Sequence, residues 1–192
     1  MLSICVYCGS RFGDSASFVT AAQEMGEAIA RRGARLVYGG GRVGLMGIVA
    51  DAALAAGGRV IGVIPEALMQ REVGHSRLTE LLVVRSMHER KQAMAERADA
   101  FVALPGGIGT LEELYEVWSW QQLGYHDKPV ALLNVDGYYD PLIEFMGQSV
   151  RRGFVSEEQH RALLVDTDVH QLLDRVAAAA ADASALDDYS KT

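Results

Sequence analysis

An open, doubly wound α/β fold built on a parallel sheet is predicted by three observations. Near-continuous apolar, β-rich runs alternate with amphipathic helical ones along the whole chain. The strand-like runs are apolar at successive positions rather than every second one, the pattern of strands covered on both faces. Three of them end in glycine-rich turns, at Gly9-Ser10, at Gly39-Gly40-Gly41 and at Gly106-Gly107-Ile108-Gly109. In such sheets ligands bind beyond the C-terminal ends of the strands, and here the glycine turns fall at those ends.

Strands are predicted over residues 2–7, 35–38, 59–64, 80–85, 100–104, 129–134 and 162–165. Helices are predicted near residues 15–32, 45–56, 87–98, 110–123, 141–152 and 169–180. With 192 residues and 49% hydrophobic content, the chain reads as one domain over residues 1–180. The small, polar residues 181–192 are expected to fray as a flexible tail. A net charge of −7 argues against non-specific binding to nucleic acid, which needs a basic face. No apolar run approaches membrane-spanning length, and Ile4-Cys5-Val6-Tyr7 follows the N-terminus with no basic leader, so a cytoplasmic protein is expected.

The segment Ala103-Leu104-Pro105-Gly106-Gly107-Ile108-Gly109-Thr110-Leu111-Glu112-Glu113 is the most informative. A glycine turn from strand to helix lets a ligand approach unpaired backbone N–H groups, and the helix dipole favours an anion there, most often a phosphate. Glu112 and Glu113 would repel a phosphate unless they serve another part of the ligand. Glu113 lies three residues after Thr110, so a capping box with Thr110 at the N-cap is the structural alternative.

Gly39-Gly40-Gly41-Arg42-Val43-Gly44 fits a dinucleotide fingerprint, with Glu66 near the end of the next strand as the acidic partner for a ribose. That fingerprint normally follows the first strand of a fold. The triple glycine therefore reads as close backbone approach to a mononucleotide, with NAD(P) a minor option. In Met87-His88-Glu89-Arg90-Lys91, two cations stand near a helix N-terminus, where the macrodipole disfavours them. An anionic partner would explain them, and the guanidinium of Arg90 suits phosphate or carboxylate. Glu72, in an inter-strand loop, reads as solvent-exposed.

Cys5 and Cys8 form a C-x-x-C, but Cys5 falls inside a strand, so buried structural thiols are expected rather than a redox pair. His75, His88, His126, His160 and His170 are scattered, and no metal-ligand spacing is found. The helix near residues 110–123 is apolar over most of its circumference. Leu111, Leu114, Tyr115 and Trp118 form one stripe, Val117 and Trp120 another, and a second apolar face points to a homodimer, with burial inside a crowded monomer as the alternative.

Carrying Tyr38-Gly39-Gly40-Gly41, Met87-His88-Glu89-Arg90-Lys91, the Pro105 to Glu113 motif and Asn134-Val135-Asp136-Gly137-Tyr138-Tyr139, the chain resembles the LOG family from about Ile4 to Phe154. Members are cytokinin riboside 5′-monophosphate phosphoribohydrolases, and many relatives bear the label "lysine decarboxylase". The resemblance implies a Rossmann-like homodimer that hydrolyses the N-glycosidic bond of AMP or N6-modified AMP, without metal or organic cofactor. It implies Arg90 and Glu113 as the catalytic pair. Gly107, Ile108, Gly109 and Thr110 would hold the phosphate or ribose, with Lys91, Glu72 and Ser119 as further contacts. Gly9, Ser10, Gly40, Gly41, Gly44, Met46, Gly106 and Glu112 complete the expected substrate-binding set. Many relatives have Thr where this chain has Ser119.

A pyridoxal enzyme needs a Schiff-base lysine, and the chain has only Lys91, Lys128 and Lys191, none suitably placed in the sequence. A non-catalytic nucleotide or molybdenum-cofactor carrier on the same scaffold is the alternative; it would not require Arg90 and Glu113 together.

Overall fold

The computed structural model describes residues 1–69, 75, 77–184 and 187–189. Its strands are β1 (Ser3–Tyr7), β2 (Arg35–Tyr38), β3 (Arg59–Pro65), β4 (Glu80–Val84), β5 (Ala100–Ala103), β6 (Val130–Leu133) and β7 (Leu163–Asp166). Every pairing is parallel, in the order β4-β3-β2-β1-β5-β6-β7. The predicted strands all occur, with ends displaced by at most a residue.

The helices are α1 (Ala16–Arg31), α2 (Gly44–Ala55), α3 (Glu66–Met69), α4 (Met87–Glu96), α5 (Ile108–Gln122), α6 (Asp140–Arg151), α7 (Glu157–Ala162) and α8 (Val169–Asp182). Side chains alternate across the sheet, as the pleat requires. Ile4 and Val6 of β1 pack with Met25 and Ile29 of α1, Val49 of α2 and Leu172 of α8. Cys5 and Tyr7 point the other way, into a core with Met94 of α4, Leu114 and Val117 of α5, and Met146 of α6. Helices thus cover both faces, which is why the strands carry apolar residues at consecutive positions.

Two short helices escape the sequence reading. α3 is a single turn. α7 is announced by a capping box in which Ser156 accepts from Gln159 N at 3.1 Å while Gln159 Oε1 accepts from Ser156 N at 2.9 Å. Val117, assigned above to a second apolar face of α5, is buried against the sheet side, leaving half-exposed Tyr115 and exposed Leu123 outside.

Part of the expected tail is docked. α8 runs to Asp182, and Tyr189 is buried against Trp120 and His126, with ring centroids 5.6 and 6.1 Å apart. Its hydroxyl accepts from Lys128 Nζ at 3.1 Å, and Asp187 forms an ion pair with the same ammonium at 2.6 Å. Composition misses this because one aromatic ring and one buried lysine outweigh the small polar residues around them.

The chain runs outward from β1 to β4, then returns to β5 beside β1. The crevice between the ends of β1 and β5 is the topological switch point, where doubly wound sheets bind ligands.

Candidate active site

Three loops close on that crevice through their own backbones. Gly9 N donates to Pro105 O at 3.1 Å, joining the β1 and β5 loops, and Leu45 N donates to Gly9 O at 2.9 Å, joining α2 to both. Gly44 permits this approach: its φ is +56°, and a Cβ there would lie 2.2 Å from the carbonyl carbon of Ser10.

The result is a cleft of about 640 Å³, within the usual range for small-molecule sites. Its walls include Gly9, Ser10, Met46, Arg90, residues 106–110, Glu112 and Glu113. All of these are in the set predicted from sequence.

The helix α5 begins with Gly107 at its N-cap, and no side chain caps it. Thr110 is therefore the third helical residue, not the cap, and the capping-box alternative does not form. The N–H groups of the first turn have no intrahelical partner, as in any helix, and the glycines leave them open to an anion. Thr110 is buried, and a Cβ on Gly106 would sit 2.1 Å from its Oγ1, so this turn tolerates no side chain there.

Arg90 is 6% exposed. Its Nε donates to Val63 O at 3.2 Å and its Nη2 to Gly39 O at 3.0 Å, so the ends of β2 and β3 hold the guanidinium. Nη1 lies 3.8 Å from Met87 Sδ. Ser86 caps α4 by accepting from Glu89 N at 3.1 Å, which sets where Arg90 emerges. Glu113, one turn further into α5 than Thr110, lines the same cleft as Arg90.

Burial pushes the thiol of Cys8 up, and the charge of Glu113 adds to that. Burial likewise raises Cys5, with an opposing hydrogen bond from Tyr7 and a smaller contribution from Glu113. Both cysteines are free and buried, which makes them neutral thiols rather than a redox pair. Cys8 nevertheless forms part of the cleft wall.

Other predicted residues stand elsewhere. Lys91 does not line the cleft; its Nζ bridges Glu112 at 2.5 Å and Glu116 at 2.8 Å. Burial alone would lower its pKa, but those two carboxylates raise it overall. Ser119 is exposed and off the cleft wall. Gly40, Gly41 and Gly44 are buried and are not among the residues that line the cleft; a Cβ on Gly40 would press on Ile64 and Val63 at 3.1–3.2 Å. Glu66 opens α3 at the surface and lines no part of the cleft, so it does not serve the fingerprint around Gly39 as a partner there. Glu72 lies outside the described residues.

The sequence reading missed Arg11, Phe12, Phe18 and Tyr138, which also form the walls. Arg11 and Phe12 follow directly on the β1 glycine turn, and that adjacency was the available signal. Phe18 reaches the cleft from α1 with no local signature, and Tyr138 from the turn after β6, inside the 134–139 segment that carries the family resemblance but gives no sign of a site role.

A doubly wound parallel sheet, with an uncapped helix end, a held arginine and a glutamate around one cleft at its switch point, defines a Rossmann-like protein. The model of the family described as "Possible lysine decarboxylase" matches residues 46–176. "Cytokinin riboside 5′-monophosphate phosphoribohydrolase LOG" of Oryza sativa subsp. japonica is 53% identical over 88% of this chain and 70% of its own length. The Arabidopsis thaliana protein of the same activity, LOG1, is 47% identical over 90% of this chain and 81% of its own. The chain belongs to this LOG-type family. Among solved structures, a molybdenum cofactor binding protein from Rippkaea orientalis superposes with a TM-score of 0.70 at 21% identity, covering 92% of this chain and 96% of that one. A molybdenum cofactor carrier protein from Chlamydomonas reinhardtii gives 0.71 at 24% identity, covering 94% and 98%. These two establish the shared fold alone.

Proposed function

We propose that this protein hydrolyses the N-glycosidic bond of AMP or of an N6-modified AMP, releasing the free base and ribose 5-phosphate. The observation that carries the reading is the single cleft shared by the uncapped N-terminus of α5, the buried Arg90 guanidinium and the Glu113 carboxylate. The activity named for relatives 47–53% identical supports it.

The chemistry follows from the bond to be broken. The base leaves with the electron pair of the C1′–N bond, positive charge builds on the ribose, and water supplies the new C1′–O bond. The departing base and the solvent take up the proton released by the water. Glu113 stabilises the sugar cation or orients the water. The amides of residues 107–110 hold the 5′-phosphate, so that binding energy fixes the position of C1′. Arg90 spends Nε and one N–H of Nη2 on backbone carbonyls, which leaves donors on Nη1 and Nη2 for the ligand or for Glu113. Lys91 neutralises Glu112 beside the phosphate seat instead of touching the ligand.

Neither decarboxylation through a Schiff base nor a carrier role gains support. Lys91 is bound by two carboxylates, Lys128 is buried between Ala95 O, Tyr189 and Asp187, and Lys191 lies outside the described residues. The likeness to cofactor carriers is one of fold. Among the described residues, no group of His, Cys, Asp and Glu suits a metal ion, and no helix is long and apolar enough to cross a membrane.

A homodimer belongs to the same proposal. Tyr115 Oη of α5 lies 3.3 Å from Met146 Sδ of α6, and Tyr115, Phe145 and the C-cap residue Leu123 are exposed. A cytosolic setting fits the two free thiols.

The test is chromatography of AMP, and separately of isopentenyl-AMP, after incubation with the purified protein and no added cofactor. Adenine or the modified base, with ribose 5-phosphate, is the expected product. Glu113→Gln lowers kcat by about 10²–10⁴-fold while the fold survives. Absence of free base from both nucleotides would refute the hydrolase reading; undiminished turnover by the Gln variant would refute the role of Glu113.

A further inference from the structure

The segment Asn134-Val135-Asp136-Gly137-Tyr138-Tyr139 has no part in the chemistry above, yet it is built firmly and reaches the cleft. Asn134 accepts from Tyr139 N at 2.8 Å through Oδ1 and donates to Asp140 Oδ1 at 2.7 Å through Nδ2. Asp136 takes the left-handed conformation, with φ of 51°, and its carboxylate accepts from Ser15 and Ser17 at the start of α1. The two tyrosine rings meet edge to face at 4.9 Å, and Tyr138 meets Phe18 in the same way at 5.6 Å. Fixed so, Tyr138 lines the cleft and donates its phenol to Gly106 O at 2.5 Å. The buried Tyr139 donates to Leu104 O at 2.7 Å.

A peptide plane carries its C=O and the next residue's N–H in opposite directions, so holding one fixes the other. Glycine imposes little restriction on its own backbone, and the Gly106-Gly107 plane could turn freely without an outside hold. The plane before it is held where Pro105 O accepts from Gly9 N. Tyr138 supplies the hold on the next one. Tyr139 grips a plane whose following residue is Pro105, which has no N–H to aim.

We infer that Tyr138 is a positioning residue for the phosphate seat: its phenol, by fixing the Gly106 carbonyl, keeps the Gly107 N–H in one orientation for the anion. The inference rests on reading the α5 N-terminus as the seat of the 5′-phosphate.

Calorimetric titration of ribose 5-phosphate and of adenosine into the protein, Tyr138→Phe and Tyr139→Phe tests it, together with AMP kinetics. Tyr138→Phe keeps the ring and removes the donor. It binds ribose 5-phosphate about fivefold more weakly, the effect of one lost hydrogen bond, with adenosine affinity unchanged. Its KM for AMP rises by a similar factor while kcat holds. Tyr139→Phe lowers the melting temperature and leaves ribose 5-phosphate affinity as it was. Wild-type affinity for ribose 5-phosphate in Tyr138→Phe, an equal loss for adenosine, or no phosphate-dependent binding by the unaltered protein would overturn the inference. Phosphate-dependent binding without release of base from either nucleotide would refute the hydrolase reading and leave this one standing.

Discussion

Gly39 leaves the volume that the Arg90 guanidinium fills. A Cβ on Gly39 would lie 2.0 Å from Nη2 and 3.0 Å from Cζ, and the Gly39 carbonyl accepts from that same Nη2 at 3.0 Å. The arginine is buried and also bound to Val63 O, so it cannot step aside at little cost. One residue thus supplies both the acceptor and the space.

Gly39→Ala is therefore expected to displace Arg90 and lower kcat for AMP by about 100-fold, the usual consequence of an ångström-scale misplacement. Arg90→Lys fails similarly, since an ammonium cannot fork onto two carbonyls and still face a ligand. Circular dichroism establishes that the fold persists. An alanine variant with full turnover would show that the seat of the guanidinium does not matter.

Lys91 offsets two carboxylates on α5, one of which, Glu112, borders the cleft. Lys91→Met leaves that charge beside the incoming phosphate. KM for AMP is expected to rise about fivefold, corresponding to roughly 1 kcal/mol of repulsion, and the rise shrinks in high salt. Adding Glu112→Gln restores KM, because the charge to be offset is gone. Steady-state kinetics on both variants at low and high ionic strength decide the matter. A double variant no better than the single would mean that Lys91 acts on the ligand directly.

His126 is buried, donates from Nε2 to Val117 O at 2.9 Å and accepts from Lys128 N at 3.1 Å through Nδ1, an arrangement that suits the neutral ring. Burial pulls its pKa down to about 4, with the nearby Lys128 charge adding to the fall and the Val117 bond opposing it. The unfolded chain takes up this proton near its ordinary value of about 6.5 and the folded chain only near 4. Stability from this group is thus complete above about pH 6.5 and is lost as the pH falls toward 4, by on the order of 3 kcal/mol. Denaturant titrations at pH 7 and at pH 5 measure it. His126→Gln should flatten that dependence, and a wild-type stability unchanged across the interval would contradict the argument.

The predicted site was legible where it is local. A glycine turn between an apolar run and a helical pattern marks a strand–loop–helix junction, and the residues after Pro105 lie where that rule puts them. Arg90 could be singled out because a cation near a helix N-terminus opposes the macrodipole. Roles that depend on a distant neighbour were not legible. Gly39, read as room for a nucleotide, is room for an arginine 51 residues later. Lys91, read as a ligand contact, is taken by carboxylates 21 and 25 residues on. Tyr189 and Lys128, 61 residues apart, find each other across what composition described as a tail.

By itself the sequence determined the seven parallel strands, their covering helices, the glycine turns at the strand ends and the family to which the chain belongs. These follow from hydrophobic period and backbone freedom, which act over a few neighbouring residues. The tertiary structure alone decided which glycines line the cleft and which merely admit a neighbour, and that Arg90 is held by the ends of β2 and β3. It also decided that a tyrosine from beyond β6 grips the Gly106 carbonyl. Such matters turn on distances between segments far apart in the chain, and only the packed sheet sets those distances.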